Sequence, residues 1–183
     1  VLFHDRTADR LCGVPGAMHE TGGAAFARLR VSEFTRFGYR YAQVPVTTLA
    51  ELVGLLKKHP PVTAFIELKR VSIEIFGAEV VLERIRHTLA PVANQCVLIS
   101  YSLSTLLLAR QQGGFALGAV FDRWAEHHRP VLASLKPEFV FSDADHAPRF
   151  GHIAFPDARI GFYEVTDPAR ALQHLGEADV PPR

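Results

Sequence analysis

A short apolar run that ends in opposite charges, Phe65-Ile66-Glu67-Leu68-Lys69, is where chemistry first shows in this sequence. Side chains alternate faces along a strand, so Phe65, Glu67 and Lys69 share one face while Ile66 and Leu68 take the other. Charged side chains are seldom buried without a partner or a metal. An internal Glu67–Lys69 ion pair and a ligand-binding role therefore both stand open. Polar residues recur wherever an apolar run ends: His4 and Asp5, Ser100 and Ser102, Asp122 and Arg123, Asp143, Asp145 and His146, then Tyr163, Glu164 and Asp167. A carboxylate suits a hard cation, a lysine suits an anionic group and a histidine suits proton transfer. Together they fit phosphoryl chemistry. No Gly-x-Ser-x-Gly elbow is present, so a serine hydrolase has no support.

Composition narrows the classes further. At 183 residues, with 48% apolar and 21% charged residues, the chain is long enough for one domain with a substantial core. The net charge of +1 comes from scattered basic residues, which is not the footprint of a nucleic-acid binder. No apolar run approaches bilayer length, so stable membrane insertion is not expected. Cys12 and Cys96 form no C-x-x-C pair and read as thiols of a reduced compartment, which makes a cytoplasmic location the expectation. The nine histidines make no H-E-x-x-H spacing, and His127-His128 reads as solvated. Nothing in the pattern speaks to oligomeric state.

The elements that must position these residues alternate in type. Val1–Phe3 reads as a strand, followed by a loop rich in Gly and Pro. Phe26, Leu29, Phe34 and Phe37 could pack a short helix and its tail. Thr48 and Glu51 have capping-box spacing, and the apolar residues Leu49, Leu52, Val53, Leu55 and Leu56 follow at helical intervals up to Pro60-Pro61. A strand over 62–69, a helix over about 72–89, a strand over 96–100 and a helix over about 104–112 come next. Strands over 117–121, 139–142 and 159–165 follow, with a helix over about 125–135 between the first two. Asp167-Pro168 opens a last helix. This alternation means parallel strands covered by helices. Polar residues at every strand end favour a (β/α)8 TIM barrel over an open sheet, which binds at one switch point. The expectation is one barrel domain over 1–183, incomplete at both ends, with about six strands.

With these motifs in place, the sequence resembles the glycerophosphodiester phosphodiesterases. Val1-Leu2-Phe3-His4-Asp5-Arg6-Thr7-Ala8-Asp9-Arg10 is similar to that family's His-Asp segment. Val46-Thr47-Thr48-Leu49-Ala50-Glu51 is similar to its Pro-Thr-Leu-x-Glu helix start, and Ile66-Glu67-Leu68-Lys69 matches its Ile-Glu-Leu-Lys strand. Ser100-Tyr101-Ser102 and Tyr163-Glu164-Val165-Thr166-Asp167 look like two later strand ends of the family. The resemblance implies that His4 is one of two acid–base histidines and that Glu67 is one of three acidic ligands of a divalent cation, Mg2+ or Ca2+. It further implies that Lys69 holds phosphate and that Tyr163 lines the pocket of a small glycerophosphodiester substrate. Asp5 would orient a neighbour or bind substrate.

The family's His-Arg-Gly and Glu-x-Asp motifs would lie before Val1, and its closing strand is hinted at only by Gly176–Val180. The resemblance thus implies a longer parent protein, hydrolysing glycerophosphodiesters to glycerol 3-phosphate and an alcohol. The alternatives are a non-catalytic barrel that binds phosphate esters and a related barrel of the phospholipase D-like kind.

Overall fold

The computed structural model describes residues 1–122, 129–145 and 157–169. By its internal contacts the chain divides into two compact units, Val1–Pro60 and Pro61–Arg183.

The first unit is built from short pieces. Helices α1 (Asp9–Cys12), α2 (Gly23–Phe26) and α3 (Phe34–Phe37) are each a single turn, and α4 (Leu49–Lys58) is the one longer helix among its described elements. Gly13, at φ 68°, ends α1 in the left-handed region that a glycine enters without steric cost. Isolated antiparallel bridges Thr7–Ala17 and Arg30–Pro45 tie the loops together. A small core of Ala8, Leu29 and Val46 gathers Phe3, Cys12, Met18, Phe26 and Val31 around it. Helix α4 starts where the sequence places it. The Thr48 hydroxyl accepts the Glu51 N–H at 3.2 Å, and the Glu51 carboxylate accepts the Thr48 N–H at 2.7 Å.

Two expectations for this unit fail. Val1–Phe3 is not a strand; its Leu2 N–H bonds the Thr47 carbonyl at 2.9 Å, and no ladder forms. Phe34 and Phe37 stay 47% and 37% exposed, because a one-turn helix gives them no second turn to pack with. Their rings meet Tyr39 and Tyr41 edge-on instead.

The second unit is a parallel sheet of five strands among the described residues, in the order β1 (Ala64–Glu67), β2 (Cys96–Ser100), β3 (Ala116–Phe121), β4 (Phe139–Asp143) and β5 (Arg159–Tyr163). Helices α5 (Arg70–Phe76), α6 (Ala78–Leu89), α7 (Leu103–Gln112) and α8 (Arg129–Leu135) fall between them. The expected helix over 72–89 is two helices, broken at Gly77 (φ 80°, ψ 146°), a conformation that a residue with a Cβ rarely adopts. Apolar spacing runs through the break and conceals it. The part of the expected 125–135 helix before Arg129, and the last helix beyond Ala169, lie outside the described residues.

Alternation sorts the sheet into two faces. Ile66, Leu68, Cys96, Leu98, Leu117, Ala119 and Val140 are all buried, on the face that the helices cover. The other face carries Phe65 and Glu67, then Ile99, Gly118, Phe139, Phe141, Gly161 and Tyr163, following the register Glu67–Ile99–Gly118–Phe139 across four strands. On this face the Phe65 ring lies 5.0 Å from Phe139 and 5.2 Å from Phe141. In a flat sheet β1 and β4, three strand spacings apart, would be separated by about 14 Å. The sheet therefore curls, and this face becomes the inside of an incomplete barrel. Glycines make the room. A Cβ on Gly118 would meet Ile99 at 2.8 Å and Phe141 at 3.1 Å, and one on Gly161 would meet the Phe141 ring at 2.7 Å.

Candidate active site

Parallel strands of a barrel release their chain at one rim, and the inner-face residues at that rim can reach a ligand. In the second unit these are Glu67, Lys69, Tyr101, Asp122, Asp143 and Tyr163, each at or just past a strand end. Lys69 stands at the junction of β1 and α5, where its carbonyl accepts the first N–H bonds of the helix, from Ser72 and Ile73. The buried Ser100 hydroxyl donates to the Leu68 carbonyl at 2.8 Å and accepts the Ser102 N–H at 3.0 Å, which fixes the backbone between Glu67 and Lys69. The Lys69 ammonium lies 2.8 Å from the Glu67 carboxylate, and the two side chains keep 25% and 27% exposure. The ion pair is thus real, and both side chains remain partly open to solvent.

Beside this pair runs a chain of hydroxyls. The Tyr101 hydroxyl donates to that of Tyr163 at 2.8 Å, and the Tyr163 hydroxyl donates to the Phe121 carbonyl at 2.6 Å. Burial above all pushes both phenols above their ordinary range; the bond to Tyr163 adds to the rise at Tyr101, and the Asp122 and Glu67 carboxylates add smaller amounts to both, so both stay neutral donors. The Arg70 guanidinium covers the Tyr101 ring at 5.0 Å. The Tyr163 hydroxyl is therefore already committed on both sides. Asp143 accepts the Asp145 N–H at 2.7 Å, holding the turn after β4.

The first unit holds its own cluster. The His4 Nδ1 lies 2.7 Å from Asp5 Oδ1, and an ionised carboxylate can only accept, so Nδ1 carries the proton and Nε2 is left for other work. Arg10 takes the same carboxylate with two nitrogens, Nε at 2.7 Å and Nη2 at 2.8 Å, and gives Nη1 to Glu33 at 3.0 Å. The Arg10 guanidinium, helped by the His4 imidazole, outweighs burial and holds the Asp5 carboxyl down to about 2.

The structure therefore joins His4 to Asp5, and Glu67 to Lys69. It ties Tyr163 to Tyr101, which stood inside the Ser100-Tyr101-Ser102 motif without a role of its own, although its place two residues past Ile99 puts it on the inner face. Arg10 stood inside the His-Asp motif, whereas nothing in the sequence marks Glu33. His146, Arg123 and Trp124 lie outside the described residues. A divalent cation needs several oxygen ligands, and among the described residues no group of three His, Cys, Asp or Glu side chains could hold one. Glu67 alone, already bonded to Lys69, does not make a cation site. Among the described residues no helix is long and apolar enough to cross a membrane, and Cys12 and Cys96 are both free thiols.

No family model matches the sequence, and no curated protein matches it. Solved structures do. A phosphodiesterase of Oleispira antarctica, determined in complex with the product sn-glycerol 3-phosphate, has a TM-score of 0.76 at 17% identity. A Silicibacter pomeroyi protein assigned as a glycerophosphoryl diester phosphodiesterase has a TM-score of 0.68 at 15% identity. The fold is theirs. The likeness covers 92% and 87% of this chain, and the chain spans 68% and 63% of theirs, about two thirds of each. In these phosphodiesterase-type barrels, as here, parallel strands and intervening helices curl into a (β/α)8 arrangement, seen over this stretch in part.

Proposed function

We propose that this chain belongs to an enzyme that hydrolyses glycerophosphodiesters to glycerol 3-phosphate and an alcohol. The observation that carries the reading is the fold shared with a phosphodiesterase holding sn-glycerol 3-phosphate. The charged pair Glu67–Lys69 at a strand end, where such barrels do their chemistry, supports it.

In this reading water adds to phosphorus as the bond to the leaving alcohol oxygen breaks. Lys69 meets the single negative charge of the diester as a compact cation. His4, held by Asp5 at Nδ1, moves a proton at Nε2, delivering it to the departing alkoxide or taking it from water. Asp5 acts by orienting His4, since both of its oxygens are engaged. Tyr163 contributes ring surface to the substrate pocket. A divalent cation, Mg2+ or Ca2+, belongs to the proposal with Glu67 as one ligand, and the described residues do not complete its shell. A cytoplasmic location is proposed on the two free thiols alone.

The test is release of sn-glycerol 3-phosphate from glycerophosphocholine. His4→Ala and Glu67→Ala are each expected to lower kcat by about 100-fold or more, leaving a measurable residual rate, Lys69→Ala to raise KM, and chelation to stop a reaction that Mg2+ or Ca2+ restores. Undiminished rates after His4→Ala would remove the site assignment. Binding of glycerophosphocholine without turnover would identify a non-catalytic phosphate-ester barrel.

A further inference from the structure

His4 is a poor candidate for orderly proton transfer when viewed alone. Its side chain is 69% exposed, and it is held by Asp5, the next residue in sequence. An exposed pair of neighbours is weak, because water screens it and both side chains are free to rotate. What the first unit adds is a line of alternating charge behind that pair. Arg10, presented by α1, grips both oxygens of Asp5 in fork geometry at 2.7 and 2.8 Å, which fixes the carboxylate's rotamer as a lysine could not. Glu33 fixes Arg10 in turn, at 3.0 Å.

Glu33 reaches that position through an unusual backbone. Its φ of 43° and ψ of 56° lie in the left-handed region, where a Cβ is crowded and where Glu, unlike Asn or Gly, has no local advantage. The conformation is held by its N–H on the Leu11 carbonyl at 3.0 Å and by its own carbonyl, which accepts the N–H groups of Arg36 and Phe37 at 2.9 and 3.1 Å. Strain of this kind is kept where the surrounding structure has a use for the side chain. The Leu11 carbonyl follows Arg10 directly in α1, so the backbone bond and the ion pair join the same two elements.

We propose that Arg10 and Glu33 are positioning residues for His4: through Asp5 they hold the imidazole with Nδ1 bound and Nε2 left for proton transfer. The proposal rests on the phosphodiesterase reading for its kinetic consequence, and on geometry alone for the orientation of the ring.

The experiment combines both in the full chain. Arg10→Ala, Arg10→Lys and Glu33→Gln are made with His4 present and in a His4→Ala background, with folding followed by thermal melting. With His4 present, Arg10→Ala is expected to lower kcat by about 10- to 100-fold with little change in KM, because a misplaced group loses rate rather than affinity. Arg10→Lys should restore little of that loss, and Glu33→Gln should lose less than Arg10→Ala. In the His4→Ala background none of the three should lower the residual rate further, since residues acting as a unit are not additive. Equal losses in both backgrounds, or a change in KM alone, would overturn the proposal.

Histidine 15N NMR supplies the second arm. His4 is expected to show one tautomer protonated at Nδ1, and Arg10→Lys or Glu33→Gln should convert it to an exchanging mixture. A tautomer unchanged in those folded variants would overturn the proposal even if no glycerophosphodiester were hydrolysed. That last result would count against the activity alone.

Discussion

A carboxylate gripped by a guanidinium titrates differently from a free one, and Asp5 makes this measurable. Its folded carboxyl stands at about 2 against an ordinary value of 3.8. The Arg10 and His4 contacts therefore favour the folded state fully above the ordinary value and lose that contribution as pH falls through about 2. Arg10→Ala should return the Asp5 titration to the ordinary carboxylate range, followed by carboxyl 13C shifts. An Asp5 that still titrates near 2 in that variant would mean another cation holds it. The tyrosines offer a second residue-scale test. Tyr163→Phe leaves the Tyr101 hydroxyl and the Phe121 carbonyl without their shared partner, at a cost of about 1–3 kcal/mol. Tyr101→Phe removes one donor and leaves the Tyr163–Phe121 bond intact, so it should cost less. Urea unfolding of both variants decides the order.

Among the elements, the strands owe their curl to side chains that are missing. Gly161→Ala would drive a Cβ to 2.7 Å from the Phe141 ring, and overpacking of that kind costs about 1–3 kcal/mol. Adding Phe141→Leu to Gly161→Ala should recover part of the loss, since the smaller side chain can yield; equal stability of single and double variants would show that the ring is not what limits the space. Helix α4 shows how much of an element can be legible in sequence. Thr48 and Glu51 announce its start by type and spacing, and the reciprocal bonds are present. Thr48→Ala should cost about 1 kcal/mol. The break at Gly77 was not legible, because apolar periodicity reports which way side chains face and continues across a kink. The expected strand at Val1–Phe3 failed for the opposite reason, since apolar residues alone bring no partner for the backbone.

At the scale of the molecule, the opposite rim of the sheet is built for cohesion. Arg110 of α7 reaches both carboxylate oxygens of Glu138 at 3.0 and 2.7 Å, along with the carbonyls of Leu135 and Lys136. Glu138 also accepts the Leu117 N–H at 2.7 Å. Burial works to raise the Glu138 carboxyl, but Arg110 and that N–H outweigh it and hold it below its usual range. One rim thus ties α7, β3 and β4 together, while the other carries the candidate site. Stability should also grade across the sheet. Amide hydrogen exchange is expected to be slowest at Leu98, Leu117 and Ala119 of the inner strands β2 and β3, and faster in β1 and β5, which end the described sheet. Uniform protection across all five strands would contradict this.

The sequence alone determined what depends on neighbours along the chain. That covers the alternation of strands and helices, the face on which Glu67 and Lys69 stand, the capping of α4 and the occurrence of polar residues at strand ends. Residue types and spacing carry those features because the strand period and the helical period are local. Only tertiary structure decided which distant groups meet. It placed Phe65 of β1 on the rings of β4 and bonded Tyr163 to Tyr101. It also brought Glu33, in a left-handed backbone, onto an arginine already holding Asp5. A periodic pattern states which way a side chain points; what stands opposite it depends on strand order, curl and loop path, which the chain settles only by folding.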